Sequence, residues 1–127
     1  MLLNVLIVDD SAVMRSMIKR ILNIGDLKVD HIYESANGDE AIRTIANRHI
    51  DLVFVDINMP VMRGDVLIDK IRTNPETSDM AIIVISSESS IHNINRLLTK
   101  GVRFVHKPFT PEELHYVMND LFGNEND

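Results

Sequence analysis

Apolar residues along the chain follow two alternating rhythms. Short runs, Leu2–Val8, Val29–Tyr33, Leu52–Val55, Ala81–Ile85 and Val102–Val105, are separated by longer stretches in which apolar side chains return every three or four positions. Four of the runs are nearly continuous rather than alternating, as parallel strands covered on both faces require. The second is weaker, interrupted by Asp30 and His31. The stretches between the runs predict helices. Val13, Met14, Met17, Ile18, Ile21 and Leu22 form one apolar stripe, with Ser11 placed to cap it and Gly25 to end it. Ala41, Ile42, Ile45 and Ala46 make a second, behind an Asn37-Gly38 turn signal. Val66, Leu67 and Ile71 suggest a third that ends before Pro75, and Ile91, Ile94, Leu97 and Leu98 a fourth closed by Gly101. Thr110-Pro111-Glu112-Glu113 is a capping box with proline at the first helical position, and Leu114, Val117, Met118 and Leu121 share one face behind it.

Strand–helix units of about 25 residues imply right-handed crossovers, hence a doubly wound parallel α/β sheet with helices on both faces. A chain of 127 residues is most simply one domain, expected here over residues 1–123, with residues 124–127 a fraying tail. In such folds ligands sit beyond the carboxyl ends of the strands, near the point where the winding reverses.

Those ends carry the chemistry. Asp9-Asp10 follow the first run, Asp56 the third, Ser86-Ser87-Glu88 the fourth and His106-Lys107-Pro108 the fifth. In the strand order 2-1-3-4-5 these groups share one rim. The first strand–helix turn lacks both Gly-x-Gly-x-x-Gly and Gly-Lys-Ser/Thr, so it is not built to cradle a dinucleotide or a P-loop phosphate. Two carboxylates there repel phosphate and attract a hard cation, and a set of carboxylates, carbonyls and water suits Mg²⁺. Converging acids raise one another's pKa, and a cation relieves that repulsion. Phosphoryl transfer needs chiefly positioning and charge neutralisation, and carboxylates are competent covalent acceptors. Taken singly, each residue has a plainer reading: Asp9-Asp10 as a helix cap, Asp56 as a turn residue, Ser86 as an ordinary strand end, Lys107 as a solvated loop lysine. Their joint placement favours the functional one. His31, His49, His92, His106 and His115 show no ligand spacing, and Met59 and Met62 suit packing around Pro60.

Composition narrows the field. A formal charge of −6 with no basic stripe argues against nucleic-acid binding. The absence of cysteine excludes a disulfide framework, a thiol nucleophile and a thiolate metal site, and fits a cytoplasmic setting. No apolar run approaches the roughly 18 residues of a membrane span, and MLLNVLIV meets Asp9-Asp10 too soon for a signal peptide.

In order and spacing, VLIVDDS (residues 5–11), DINMP (56–60), IVISSE (83–88) and VHKPF (105–109) resemble the receiver domain of two-component response regulators, over essentially the whole chain. The 2-1-3-4-5 order is the one known for the chemotaxis member of that family, so the flavodoxin-like topology comes in part with the resemblance. The resemblance implies that Asp56 accepts a phosphoryl group from the phosphohistidine of a histidine kinase or phosphotransfer protein. Asp10, Asp56 and the backbone carbonyl of Asn58 would ligate Mg²⁺ (or Mn²⁺) directly, and Asp9 through a water. Lys107 would pair with a phosphoryl oxygen, with a cis bond to Pro108. Ser86 would hydrogen-bond the phosphoryl group, Phe104 would be the switch aromatic, and Asn58 and Glu88 would tune hydrolysis. Ser86 stands where threonine is commoner, Phe104 lacks the hydroxyl of the usual tyrosine, and Arg63 stands where an acid or asparagine is frequent.

The expected output is a change at the face of the fourth helix, fifth strand and fifth helix (Ile91–Lys100, Val102–His106, Thr110–Phe122), where a protein target would dock. Asp9-Asp10-Ser11 followed by Met14-Arg15, together with Asn58 and Glu88, suits a stand-alone chemotaxis regulator better than a transcription-factor receiver. A single-domain phosphorelay intermediate and a receiver cut from a longer chain are the alternatives. A phosphatase of the haloacid dehalogenase type would need a second acid two residues after its nucleophile, where Asn58 stands, and a cap domain for which there is no room. The domain is thus expected to be a phosphoacceptor, not a turnover enzyme.

Overall fold

In the computed structural model, which describes residues 2–123, the apolar runs become strands and the stretches between them helices, in strict alternation: β1 (Leu3–Val8), α1 (Ala12–Asn23), β2 (Val29–Ser35), α2 (Gly38–Asn47), β3 (Leu52–Val55), α3 (Gly64–Thr73), β4 (Ala81–Ser86), α4 (Ile91–Leu98), β5 (Arg103–His106) and α5 (Pro111–Phe122). The expected tail at residues 124–127 lies outside the described residues. All neighbours in the five-stranded sheet are parallel, in the expected order β2-β1-β3-β4-β5.

Strand side chains alternate between the two faces of the sheet, which divides the core. Leu6, Val8, Val53, Val55, Ile82 and Val84 pack under α2, α3 and α4 with Ala41, Leu67, Ile68, Ile71 and Leu97. Val5, Ile7, Leu52, Phe54, Ile83 and Ile85 pack under α1 and α5 with Ile18, Ile21, Leu22, Leu114, Val117 and Met118. Fully burying an aliphatic or aromatic side chain contributes about 1.5–3 kcal/mol, so these two layers hold the sheet and fix its register. β2 is interrupted by Asp30 and His31 because it is an edge strand, with both of those residues exposed.

The buried helix faces are narrower than apolar spacing predicts. In α1 the side turned to the core is Met14, Ile18, Ile21 and Leu22, whereas Val13 is 77% exposed and Met17 39%. At about 100° per residue, Val13 and Met17 lie on a neighbouring stripe that faces solvent. Val66 is likewise exposed while Leu67, Ile68 and Ile71 are buried, and on α4 only Leu97 is buried while Ile91 and Leu98 are exposed. Asn37-Gly38 proves to be a helix cap rather than a free turn. The Asn37 side chain accepts from Glu40 N–H at 2.9 Å, and Glu40 reaches back to accept from Ala36 N–H at 3.1 Å. The expected caps at Ser11 and Thr110 are present, accepting from Met14 and Glu113 N–H. Gly101 has φ +72 just after α4, a left-handed turn that glycine adopts without strain.

Two connections brace the sheet, one at the strand starts and one at the rim. The Arg72 guanidinium at the end of α3 donates to the carbonyls of Ser78, Met80, Lys100 and Gly101 at 2.7–3.1 Å, tying the start of β4 to the α4–β5 turn. After β3, Met62 N–H donates to the Pro60 carbonyl at 2.7 Å across Val61, whose φ is +69. This tight γ-turn gives Pro60 its place: its carbonyl closes the turn that carries the chain from the rim to α3. A β-branched residue at positive φ is strained, by about 1–2 kcal/mol, and Val61 is 81% exposed, so no packing offsets the strain. Val61→Asn, which tolerates positive φ, is therefore expected to stabilise the fold by about 1 kcal/mol in urea unfolding with an unchanged slope; a loss of stability would show that Val61 is not strained.

Candidate functional site

Strand register sets the site. Val8 pairs with Val55 and Val55 with Val84, so Asp9 and Asp56 emerge side by side at the end of the two central strands. Ser86 pairs with His106, which brings Lys107 up beside them from β5. Asp9 is 3% exposed and Asp56 8%, both far more buried than carboxylates usually are. One oxygen from each of Asp9, Asp10 and Asp56 lies within 4.8 Å of the others, and among the described residues this is the only such group of potential metal ligands. Lys107 Nζ stands 3.7 Å from Asp56 and 3.8 Å from Asp9, close enough for attraction across a gap too long for a hydrogen bond.

The backbone holds these groups. Asp56 N–H donates to the Val8 carbonyl at 3.0 Å, and Asp9 N–H to the Ser35 carbonyl at 3.1 Å. The Asp9 carboxylate accepts from Ser11 N–H at 2.8 Å, which turns the chain into α1. Lys107 N–H donates to the Ser86 carbonyl at 2.8 Å, joining β4 to β5 at the rim, and the Lys107–Pro108 bond is cis as expected. Ser86 is fully buried, its hydroxyl oxygen accepting from Glu88 N–H at 3.1 Å.

Burial is the main force on both buried acids and pushes the Asp9 and Asp56 carboxyls above the usual carboxylate range. The Lys107 ammonium opposes the shift at each. Each acid is also raised by a neighbouring carboxylate, Asp56 by Asp9 and Asp9 by Asp10. A site whose own acids disfavour their charged forms is completed by a cation. The donor set is all hard oxygen, which fits Mg²⁺.

Of the residues singled out from sequence, Asp9, Asp10, Asp56 and Lys107 converge directly, with Ser86 at the same strand ends. Asn58 and Glu88 lie further out, where the loops open to solvent. Asn58 is exposed and its side-chain oxygen accepts from Arg63 at 3.2 Å; a Glu88 oxygen accepts from Ser90 N–H at 2.8 Å, the main reason its carboxyl lies below the usual range. Phe104 is half-buried on β5 against the α4 layer. It lines a groove of about 410 Å³ with His106, Glu112 and Tyr116, set apart from the carboxylates.

Two supporting contacts, made by Arg15 and Gly64, were not legible in sequence. Arg15 donates from α1 to the backbone carbonyl of Asp9 at 2.5 Å and to Glu34 on β2 at 3.0 Å, with Lys19 on the second Glu34 oxygen at 2.9 Å. Gly64, at the start of α3, lies so close to Asp56 that an added Cβ would collide with the Asp56 carbonyl oxygen and meet Ile57 Cα at 2.9 Å. Its signal was the glycine of Met62-Arg63-Gly64, whose meaning depends on a contact that sequence does not display.

A parallel doubly wound sheet with this acidic rim defines a receiver-type module. The sequence profile of the response regulator receiver domain matches residues 5–119, and the chain belongs to that family. It is 34% identical over 123 residues to a chemotaxis protein CheY homolog of Campylobacter jejuni, covering 95% of this chain and 93% of that protein. Against chemotaxis protein CheY1 of Helicobacter pylori it is 32% identical, with 95% and 98% covered. Among solved structures, chemotaxis response regulator CheY4 of Vibrio cholerae superposes with a TM-score of 0.84 at 26% identity, over 96% of this chain and 100% of that one. The CheX–CheY–BeF3–Mg²⁺ complex of Borrelia burgdorferi gives 0.85 at 28% identity, covering 94% of this chain and 89% of that one. The chemotaxis type expected from sequence is therefore matched along nearly the full length. No helix among the described residues is long and apolar enough to cross a membrane.

The raised carboxyls have a consequence for stability without metal. For Asp9 and Asp56 the folded-state pKa lies above the unfolded value, so their protonated forms favour the fold. That contribution is fully present below the unfolded pKa near 3.8 and is lost as pH rises through the folded value. At pH 7 in EDTA, Asp9→Asn is expected to raise the thermal midpoint, by about 4 °C for each kcal/mol of relief. The gain should shrink as pH falls toward 4; a midpoint lowered at pH 7 would contradict the burial account.

Proposed function

We propose that Asp56 is a phosphoacceptor and that its phosphorylation switches a protein-binding surface, in two-component signalling of the chemotaxis type. The observation carrying this reading is a nearly buried carboxylate with two further acids within 4.8 Å and an ammonium at 3.7 Å, at the rim of a receiver fold. A carboxylate so placed is a poor turn residue but a suitable nucleophile, provided its charge is balanced.

Asp10, Asp56 and the Asn58 backbone carbonyl would hold Mg²⁺, with Asp9 acting through a water; Mn²⁺ could substitute. The bound cation supplies neutralisation of charge on the transferring phosphoryl oxygens. Asp56 attacks the phosphorus of a phosphohistidine on a histidine kinase or phosphotransfer protein. An O–P bond forms as the P–N bond breaks, the electron pair goes to the imidazole nitrogen, and the donor histidine takes a proton from solvent. Lys107 pairs with one phosphoryl oxygen and the Ser86 hydroxyl donates to another. The chemistry ends at self-phosphorylation and autodephosphorylation, so the domain carries a signal rather than turning over a substrate.

Phosphorylation adds roughly −1.5 to −2 charges. Drawing Ser86 and Lys107 toward them changes the space beside Phe104 and biases the face of α4, β5 and α5, where a downstream protein would dock. The Borrelia neighbour, solved with a protein partner, BeF3 and Mg²⁺, supports this reading. The domain also occurs within longer chains: the match to a Hahella chejuensis glutamate methylesterase covers 70% of this chain but 24% of that protein.

With acetyl phosphate and Mg²⁺, wild type is expected to gain one phosphoryl mass adduct. EDTA should block it and Asp56→Asn abolish it, while Ser86→Ala should form the adduct yet respond weakly in partner binding. An adduct that survives Asp56→Asn would overturn the assignment. Rapid turnover of unrelated phosphate esters would point to a phosphatase instead.

A further inference from the structure

Arg63 occupies the N-cap of α3, a position where Ser, Thr, Asp or Asn would normally accept from the first free N–H groups. It makes no side-chain cap bond there. Its guanidinium turns back over the β3–α3 loop instead, with Nε donating to Asp65 Oδ1 at 3.2 Å and Nη1 to Asn58 Oδ1 at 3.2 Å. The helix has thus forgone a cap while the loop gains a clamp. Asp65, in the first turn of α3, anchors the guanidinium, and the guanidinium anchors Asn58.

Arginine can only donate, so the atom it holds on Asn58 must be the carbonyl oxygen. The guanidinium thereby fixes which way the amide lies, with its oxygen drawn toward Arg63. The Glu88 carboxylate, the other acceptor of the opening, is engaged by Ser90 N–H. Asn58 Oδ1 and one of the two Glu88 oxygens are thus each tied to a bond within the protein.

We propose that Arg63 is a positioning residue that prolongs the life of the phosphorylated state by holding the Asn58 carbonyl oxygen out of the site. This rests on the phosphoacceptor reading of Asp56. Hydrolysis requires a water oxygen to attack phosphorus as the bond to the Asp56 oxygen breaks. The electron pair returns to the carboxylate, and the water loses a proton to phosphate or solvent. A side-chain oxygen that accepts a hydrogen bond from that water orients it for attack and favours loss of the proton. Clamped by Arg63, the Asn58 oxygen is held toward the guanidinium and cannot swing to accept from the attacking water. Released, it can rotate and present its oxygen.

The test is a double-mutant cycle on the phosphoryl lifetime. Wild type, Arg63→Ala, Asn58→Ala and the double variant are loaded with acetyl phosphate and Mg²⁺. They are then desalted and followed by loss of the mass adduct. Arg63→Ala is expected to speed decay at least about threefold, the lower end of the scale of one ordinary hydrogen bond in water. In the Asn58→Ala background the same substitution should change decay by less than about 1.5-fold. Arg63→Ser supplies a second readout: as an N-cap residue it should raise the thermal midpoint while shortening the lifetime, a divergence that a purely structural role would not produce. An unchanged lifetime in Arg63→Ala, or an equal change in both backgrounds, overturns the inference and leaves the phosphoacceptor reading standing. Failure of wild type to form an Asp56-dependent adduct overturns both.

Discussion

Two carboxylates forced out of water side by side set the terms for the rest of the structure. Asp9 and Asp56 end adjacent parallel strands whose registers align Val8 with Val55, so neither can leave the rim without a slip in the most buried part of the sheet. Two unit charges about 4 Å apart near a protein surface interact by about 4 kcal/mol, a large fraction of the stability of a small domain. Lys107, at 3.7 and 3.8 Å from the pair, supplies attraction of the same order, but one ammonium balances one carboxylate where three acids meet. The folded chain therefore carries unmet negative charge at a fixed place. Arg15 on the Asp9 carbonyl, Ser11 N–H on the Asp9 carboxylate and the glycine packed against the Asp56 carbonyl all hold that charge in position rather than dissipate it.

Much of this was legible because the two halves of the pattern, continuous apolar runs and the polar residues that end them, reinforce each other. A parallel strand buried on both faces has little choice but to be apolar throughout, so β1, β3, β4 and β5 could be bounded to within a residue or two. Once those ends are known, Asp9, Asp10, Asp56, Ser86 and Lys107 fall on one rim by topology alone. Asp56 by itself is an ordinary turn residue; the register makes it a neighbour of Asp9 and Lys107. Pro60 had no derivable role until the hydrogen bond across Val61 showed its carbonyl closing the turn.

What escaped the sequence depends on contacts between segments far apart in the chain. Apolar spacing shows that α1 is amphipathic, but cannot decide whether Val13 or Met14 turns inward, because the neighbouring stripes differ by a fraction of a turn. The decision is made by where β1, β3 and α5 stand. Asn37 reads as a turn former until its side chain is seen accepting from Glu40 N–H and Glu40 reaching back to Ala36. Arg15 counted in the sequence only toward the chemotaxis resemblance; its hold on the Asp9 carbonyl was hidden, since an arginine on a helix is ordinarily solvated and only the bend of the chain after Asp9 brings that carbonyl within its reach. Positive φ at Val61 contradicts its local preference, so propensity alone would exclude it.

The same distribution of packing argues for where the proposed signal would leave the site. β1 and β3 are buried along almost their whole length, and a shift in either would disturb both core layers. β5 is an edge strand with one neighbour, β4, and only Val105 among its residues is fully buried. Its beginning is held where Arg72 grips the carbonyls of Lys100 and Gly101, and its end is tied to the rim through Lys107 N–H on the Ser86 carbonyl. A strand fixed at one end and coupled at the other to the groups that face the added charge yields chiefly along its middle, where Phe104 sits in register with Val84 and borders the groove beside Tyr116. Charge balance at the rim and loose packing at the sheet edge thus make β5, rather than any central strand, the element that costs least to move.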